Sequence, residues 1–112
     1  MAKVLVIETE PALRKALEAA LTSAGHQVVI AADGAEIEEQ LQRKAFEVLL
    51  IRDGASTREA SKLAIETEKH GIKAVIMAKS AERVEALRAK GLIAFPMPAE
   101  ADGLEAAVRA RI

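Results

Sequence analysis

Two patterns of apolar residues alternate along the chain. Short continuous apolar runs, rich in β-branched residues, are typical of strands that helices cover on both faces of a sheet. Between these runs, apolar side chains recur every three or four residues among charged ones, which is typical of amphipathic helices. The predicted strands span residues 4–7, 28–31, 46–51, 74–77 and 92–95, and the predicted helices span residues 11–24, a stretch around Ile37 and Leu41, and residues 57–69, 81–90 and 104–112.

The ends of these elements carry the residues that usually begin and end helices. Pro11 stands at the start of the first helix, where a backbone N–H would have no hydrogen-bond partner within the helix, so proline is favoured there. Gly25, Gly71 and Gly91 follow the ends of three helices. Strands that alternate with helices through short loops predict one α/β domain, with a parallel sheet that carries helices on both faces.

Composition and charge restrict the classes of function. The chain has 112 residues, which fits one domain over residues 1–112, and its formal net charge is −1. Acidic and basic residues are interspersed, so the sequence lacks the concentrated basic patch that binds nucleic acid or an anionic membrane. It has no cysteine, and no apolar run approaches the ~18 residues of a membrane span. We therefore expect a cytoplasmic domain that binds neither nucleic acid nor membrane.

In a parallel α/β sheet, ligands and reacting groups collect at the carboxyl ends of the strands. The sequence has no glycine-rich phosphate loop, no Ser/His/Asp order and no cluster of metal ligands, and His26 and His70 are interpreted as structural or solvated. We therefore predict no enzyme activity and no cofactor. The residues at the strand ends are Glu8, Thr9 and Glu10 after the first strand, Arg52 and Asp53 after the third, Ala78 after the fourth, and Pro96 and Met97 after the fifth.

Several segments resemble the receiver domains of bacterial two-component response regulators. They are KVLVIETEPALRKALEAAL, GHQVVIAADGAE and FEVLLIRDG, and the stretch Pro96, Met97, Pro98 is similar to the end of the family's fifth strand and its following loop. The resemblance covers essentially the whole chain. It implies a CheY-like, flavodoxin-like fold: a single doubly wound (βα)5 domain with a parallel five-stranded sheet of order 2-1-3-4-5.

The resemblance also implies a phosphorylation pocket, and this chain departs from it. In the family, an acidic pair binds Mg²⁺, an Asp accepts phosphate, and a Thr or Ser and a Lys hold the phosphoryl oxygens. Here Glu8 and Thr9 fall on the acidic pair, Arg52 on the acceptor, Ala78 on the hydroxyl and Met97 on the lysine. A guanidinium is not a nucleophile, and it puts a fixed positive charge where the metal would sit. We therefore predict a degenerate pseudo-receiver that has no metal site.

The sequence then favours a phosphorylation-independent signal-transduction domain that acts through protein–protein interaction. Its partner would be a histidine kinase, an output domain or another signalling protein, and self-association as a homodimer stays open. One alternative is a weakly active receiver phosphorylated at Asp53, which would require the third strand to slip by one residue. Another is an α/β domain that binds a small ligand in the strand-end crevice.

Two structural predictions follow from the degenerate pocket. Arg52 should pair with Glu8 or Glu10, because a half-buried guanidinium among strand ends needs a charged, hydrogen-bonded partner. The Met97–Pro98 peptide bond should be cis, as the resemblance to the family implies.

The predicted partner surface is the face made by the fourth helix, the fifth strand and the fifth helix, which docks partners in the family. An aromatic residue on the fifth strand reports the state of that face, and either Ala94 or Phe95 takes its position here. Arginine mixed with aliphatic residues suits an interface, because Arg combines hydrogen bonds with packing of its stem. The candidate interface residues are Arg83, Val84, Leu87, Arg88, Ala94, Phe95, Val108 and Arg109.

Overall fold

The computed structural model describes residues 2–32, 34–43, 45–55 and 59–96. In these residues, strands and helices alternate as the apolar periodicity predicts. The strands are β1 (Lys3–Ile7), β2 (Gln27–Ala31), β3 (Val48–Arg52), β4 (Lys73–Ala78) and β5 (Ile93–Pro96). The helices are α1 (Pro11–Ser23), α2 (Gly34–Arg43), α3 (Ala60–Lys69) and α4 (Ala81–Ala89). The predicted helix 104–112, the Met97–Pro98 bond and the candidates Met97, Val108 and Arg109 lie outside the described residues.

All five strands are parallel, and their order in the sheet is β2-β1-β3-β4-β5. This confirms the predicted strand order. The order reverses between β1 and β3, which is where doubly wound sheets form their ligand crevice. Ile7 is level with Ile51, and Ile51 is level with Ile76. Glu8 and Arg52, the residues that follow Ile7 and Ile51, therefore lie side by side at one edge of the sheet.

Alternation along the strands divides the core into two layers. On β3, Leu49 and Ile51 pack with buried side chains of α2, α3 and α4, whereas Val48 and Leu50 pack with Leu17 and Leu21 of α1. Helix α1 and helix α4 thus lie on opposite faces of the sheet. Both faces of the central strands are fully covered, which explains their continuous apolar runs. No helix among the described residues is long and apolar enough to cross a membrane.

The third strand differs from its predicted bounds of 46–51. It runs from Val48 to Arg52, and Phe46 is buried ahead of it. Arg52 pairs with Met77 in the ladder, and the next residue still donates its backbone N–H to the Met77 carbonyl at 2.7 Å. The apolar run marks what is buried, whereas the hydrogen-bond ladder decides where the strand ends. Arg52 is therefore a strand residue, with its side-chain direction fixed by the sheet.

Candidate functional site

Glu8 and Arg52 form an ion pair at the ends of β1 and β3. The Nε of Arg52 donates to both carboxylate oxygens of Glu8, at 2.7 and 2.8 Å. The Glu8 side chain has no exposed surface, and that of Arg52 is only 15% exposed. The Nη2 of Arg52 also donates to the Thr9 hydroxyl at 2.9 Å. The structure confirms the predicted pairing of Arg52, with Glu8 as the partner.

The buried carboxylate of Glu8 is also bonded to the backbone. Its Oε1 accepts from the N–H groups of Thr9 and Glu10, both at 2.9 Å. These two residues lead directly into α1, so the carboxylate lies near the positive end of that helix. A buried charge needs both a counter-ion and hydrogen bonds, and Glu8 has both within this small network.

Asp53 takes part in a second ion pair, which the sequence reasoning missed. A tight turn follows β3, in which the Arg52 carbonyl accepts from the Ala55 N–H at 3.0 Å and Gly54 adopts a φ of +89°. The Asp53 Oδ2 accepts from the Arg83 Nε at 2.9 Å, and its Oδ1 accepts from Arg83 Nη2 at 3.4 Å. This hydrogen bond raises the pKa of Arg83 above its usual value, so the guanidinium stays charged.

The two ion pairs extend in opposite directions from β3. Arg52 bonds to Glu8 at the end of β1, whereas its neighbour Asp53 bonds to Arg83 in α4. Charges of alternating sign therefore run along the carboxyl edge of the sheet. A signal for the second pair was present in the sequence, because helices that follow parallel strands begin at the same edge where those strands end. An arginine in the first turn of α4 can thus reach an aspartate that follows β3.

This arrangement does not fit a Mg²⁺ and phosphoryl site. The carboxylate of Glu8 is bound by a guanidinium, and that of Asp53 by another. Ala78 is fully buried at the end of β4 and has no hydroxyl to offer. Within the described ranges, no group of three or more His, Cys, Asp or Glu side chains could hold a metal ion.

The structure corrects part of the predicted interface. Val84, Leu87 and Ala94 are at most 3% exposed and belong to the core, so their side chains cannot contact a partner. Val84 and Leu87 lie three residues apart, and this spacing forms the stripe by which α4 packs on the sheet. Arg83 is only partly exposed, because it is bonded to Asp53.

Arg88 and Phe95 both keep exposed surface next to β5, although their side chains lie on different faces of the sheet. The Nε and Nη2 of Arg88 donate to the Ala94 carbonyl at 3.2 and 3.0 Å, while 47% of the side chain stays exposed. Phe95 is partly buried against the core layer that contains α1, and Ala94 faces the layer that contains α4. The aromatic side chain therefore points away from α4. A shallow cavity of about 410 Å³ lies beside β5, lined by Arg88 and residues 91–95.

The strand order, the parallel pairing and the alternating helices define the flavodoxin-like α/β fold, which receiver domains share. The chain is similar to the receiver domain of the Francisella response regulator 1452, with a TM-score of 0.83, 19% identity and coverage of 99% of this chain and 96% of that one. It is also similar to the chemotaxis response regulator CheY4 of Vibrio cholerae, with a TM-score of 0.81, 19% identity and coverage of 100% and 99%. A response regulator receiver domain protein from Clostridium thermocellum gives a TM-score of 0.81, 18% identity and coverage of 100% and 94%. No protein-family model and no curated protein matches the sequence. At these identities the similarity establishes the fold.

Proposed function

We propose that this chain is a pseudo-receiver: a signal-transduction domain of the two-component type that works without phosphorylation, by binding another protein. The observation that carries the proposal is the bond between Arg52 and the buried Glu8. In the receivers that the sequence resembles, the position of Arg52 supplies the carboxylate that accepts phosphate. Here it supplies a fixed cation, which neutralises the remaining acidic residue of the pocket.

The positions of the other charged groups support the same conclusion. Asp53 follows the acceptor position directly in the sequence, and both of its oxygens are bonded to Arg83. A nucleophilic carboxylate needs an accessible lone pair aimed at the incoming phosphorus, together with cations that hold the phosphoryl oxygens. Ala78 and Met97 supply neither a hydroxyl nor an ammonium group. A small-ligand site at the strand ends has equally little support, because Glu8, Arg52 and Asp53 are each bonded to another side chain.

The test for phosphorylation uses acetyl phosphate and Mg²⁺, with intact-mass detection. We expect no phosphoryl adduct on the wild-type chain, and none on Asp53→Asn. A receiver domain with an intact acidic pair and acceptor serves as the positive control. An acid-labile adduct on the wild type that Asp53→Asn abolishes would contradict the proposal and identify a weakly active receiver.

For the partner surface, we propose the exposed part of α4 and β5, where Arg88 and Phe95 border the shallow cavity. Candidates for the partner are a histidine kinase, an output domain, another signalling protein or a second copy of this chain. A guanidinium that is bonded to a backbone carbonyl and still half exposed is already ordered, so it loses little entropy when a partner binds.

Charge reversal on opposite faces of the sheet tests this surface. Arg88→Glu alters the proposed face, and Lys15→Glu makes a matched change on the exposed side of α1. In a pull-down from host lysate, and in sedimentation for self-association, a partner retained by the wild type and by Lys15→Glu should be lost with Arg88→Glu. Thermal unfolding of each variant controls for loss of structure. If Lys15→Glu abolishes binding and Arg88→Glu does not, the interface lies on the α1 side.

A further inference from the structure

Helix α4 contacts the rest of the domain through two buried apolar side chains and through two arginine side chains. Only Val84 and Leu87 of its nine residues are buried. Near its first turn, Arg83 bonds to Asp53, and in its last turn, Arg88 bonds to the carbonyl of Ala94. The apolar contact lies in the middle of the helix, so the two polar contacts add attachments near its two ends.

Both partners of the Asp53–Arg83 pair are held in place by other contacts. Asp53 donates its backbone N–H to the Met77 carbonyl at 2.7 Å, which continues the ladder of the sheet. Arg83 donates its backbone N–H to the hydroxyl of Ser80, the residue that caps α4, at 3.1 Å. Ion pairs are weak when flexible side chains must first be ordered, and bidentate pairs on fixed backbones avoid much of that loss.

We infer that Asp53 is a positioning residue for α4: through Arg83 it fixes the first turn of the helix to the carboxyl edge of the sheet. The Asp53–Arg83 contact joins the strand-end network to the helix that borders the proposed partner surface. The inference goes beyond the proposed function, because it concerns the domain without any partner. It also assigns a role to an aspartate whose ordinary interpretation is a residue of the turn.

Amide hydrogen exchange of the isolated domain tests the inference. Asp53→Asn keeps the shape of the side chain and removes its charge, and Arg83→Met removes the guanidinium. In either variant, the amides of α4 should exchange about two- to fivefold faster, the range for a partly exposed ion pair. The amides of α1 should not change, because α1 contacts the other face of the sheet. Arg43→Met is the matched control, since it breaks the exposed Arg43–Glu39 pair on α2.

The double variant Asp53→Asn/Arg83→Met separates positioning from a role in the turn. If the two residues act through their contact, the double variant should exchange at α4 no faster than the worse single variant. Unchanged α4 exchange in Asp53→Asn, or effects of the two substitutions that multiply, would overturn the inference. A change confined to the amides of Gly54 and Ala55 would also overturn it, because that pattern belongs to the turn.

Salt gives a second measurement that needs no variant to fold. The pair is partly exposed, so ~1 M salt should screen it and speed α4 exchange in the wild type. If α4 exchange in the wild type does not respond to salt more than α1 exchange does, the inference fails. None of these measurements involves a partner, so they separate failure of the inference from failure of the proposed function.

Discussion

Replacing Arg52 with alanine tests whether the Glu8–Arg52 pair supports the fold. The substitution leaves the Glu8 carboxylate with two backbone donors and no counter-ion, in a site with no exposed surface. Removing one partner of a buried pair costs roughly 3–5 kcal/mol, and one hydrogen bond between charged groups contributes roughly 1.5–3 kcal/mol. Because Arg52 is itself 15% exposed, water can enter the vacated space, which lowers the cost. We expect a loss of about 2–3 kcal/mol in the free energy of unfolding.

Urea unfolding followed by far-ultraviolet circular dichroism measures this loss. In thermal unfolding, it corresponds to a fall of about 8–12 °C in Tm for a domain of this size. Arg43→Ala is the matched control, because it removes an arginine from an ion pair in which both side chains are more than half exposed. That control should change the free energy of unfolding by less than about 0.5 kcal/mol.

A double-mutant cycle shows whether the loss arises from the contact with Glu8. Glu8→Gln retains an oxygen that can accept from the two backbone N–H groups and removes the charge. If the pair carries the effect, Arg52→Ala should cost much less in the Glu8→Gln background than in the wild type. Arg52→Ala within about 0.5 kcal/mol of the wild type, as expected for the exposed control, would refute the reasoning.

Three smaller predictions concern α4 and the turn before α3. Ser80→Ala removes the side chain that caps α4, so urea unfolding should register a loss of about 1 kcal/mol, whereas Thr22→Ala on the exposed side of α1 should have little effect. Gly54 has a φ of +89°, so Gly54→Ala should lower the free energy of unfolding by about 1 kcal/mol in thermal unfolding, and Gly54→Asn by less. Both variants should fold, because no atom lies within 4 Å of an added Cβ. The pKa of Arg83 is raised in the folded domain, so the stabilisation of the fold by its charge is present below the unfolded pKa and is lost only as pH rises through the folded pKa. Arg83→Met should therefore lower the free energy of unfolding by the same amount at about pH 7 and at about pH 9.

The order and type of the elements could be predicted because local periodicity determines them. Apolar runs marked the strands, three- and four-residue spacing marked the helices, and glycines marked the helix ends. Gly25, Gly71 and Gly91 all adopt positive φ values, as their positions suggested. The end of β3 could not be found in this way, because the ladder that includes Arg52 depends on β4, which is distant in sequence.

The two ion pairs show what a sequence does and does not reveal about the site. The contact of Arg52 with Glu8 was predictable, since both residues follow central strands and a buried guanidinium needs a partner. The order of the elements places Asp53 and the start of α4 at the same edge of the sheet, but the choice of Arg83 as its partner depends on the path of α4, which local patterns do not give. The burial of Val84 and Leu87 could have been predicted, because their spacing forms the apolar stripe of a short helix.

The variant Arg52→Asp tests whether the Arg52 guanidinium takes the place of a divalent cation. It replaces the guanidinium beside the buried Glu8 with a second carboxylate, so Glu8 loses its counter-ion and gains a like charge as its neighbour. Like charges at this distance disfavour ionisation of both groups, so the variant should lose more stability than Arg52→Ala, over about 3 kcal/mol. Millimolar Mg²⁺ should recover part of that loss, because neighbouring carboxylates are the oxygen ligands that this cation binds.

Thermal unfolding with and without Mg²⁺ distinguishes a cation site from a general effect of the ion. Arg52→Ala is the control, since it lacks both the guanidinium and the new carboxylate. Mg²⁺ should raise the Tm of Arg52→Asp. It should leave the Tm of the wild type unchanged because the guanidinium occupies the site, and that of Arg52→Ala unchanged because only the Glu8 carboxylate remains there. A similar rise in all three proteins would mean that Mg²⁺ acts elsewhere. If the Tm of Arg52→Asp does not rise, the strand ends hold Glu8 in a geometry that suits a guanidinium and not Mg²⁺. Arg52 would then be a structural residue that does not take the place of a divalent cation.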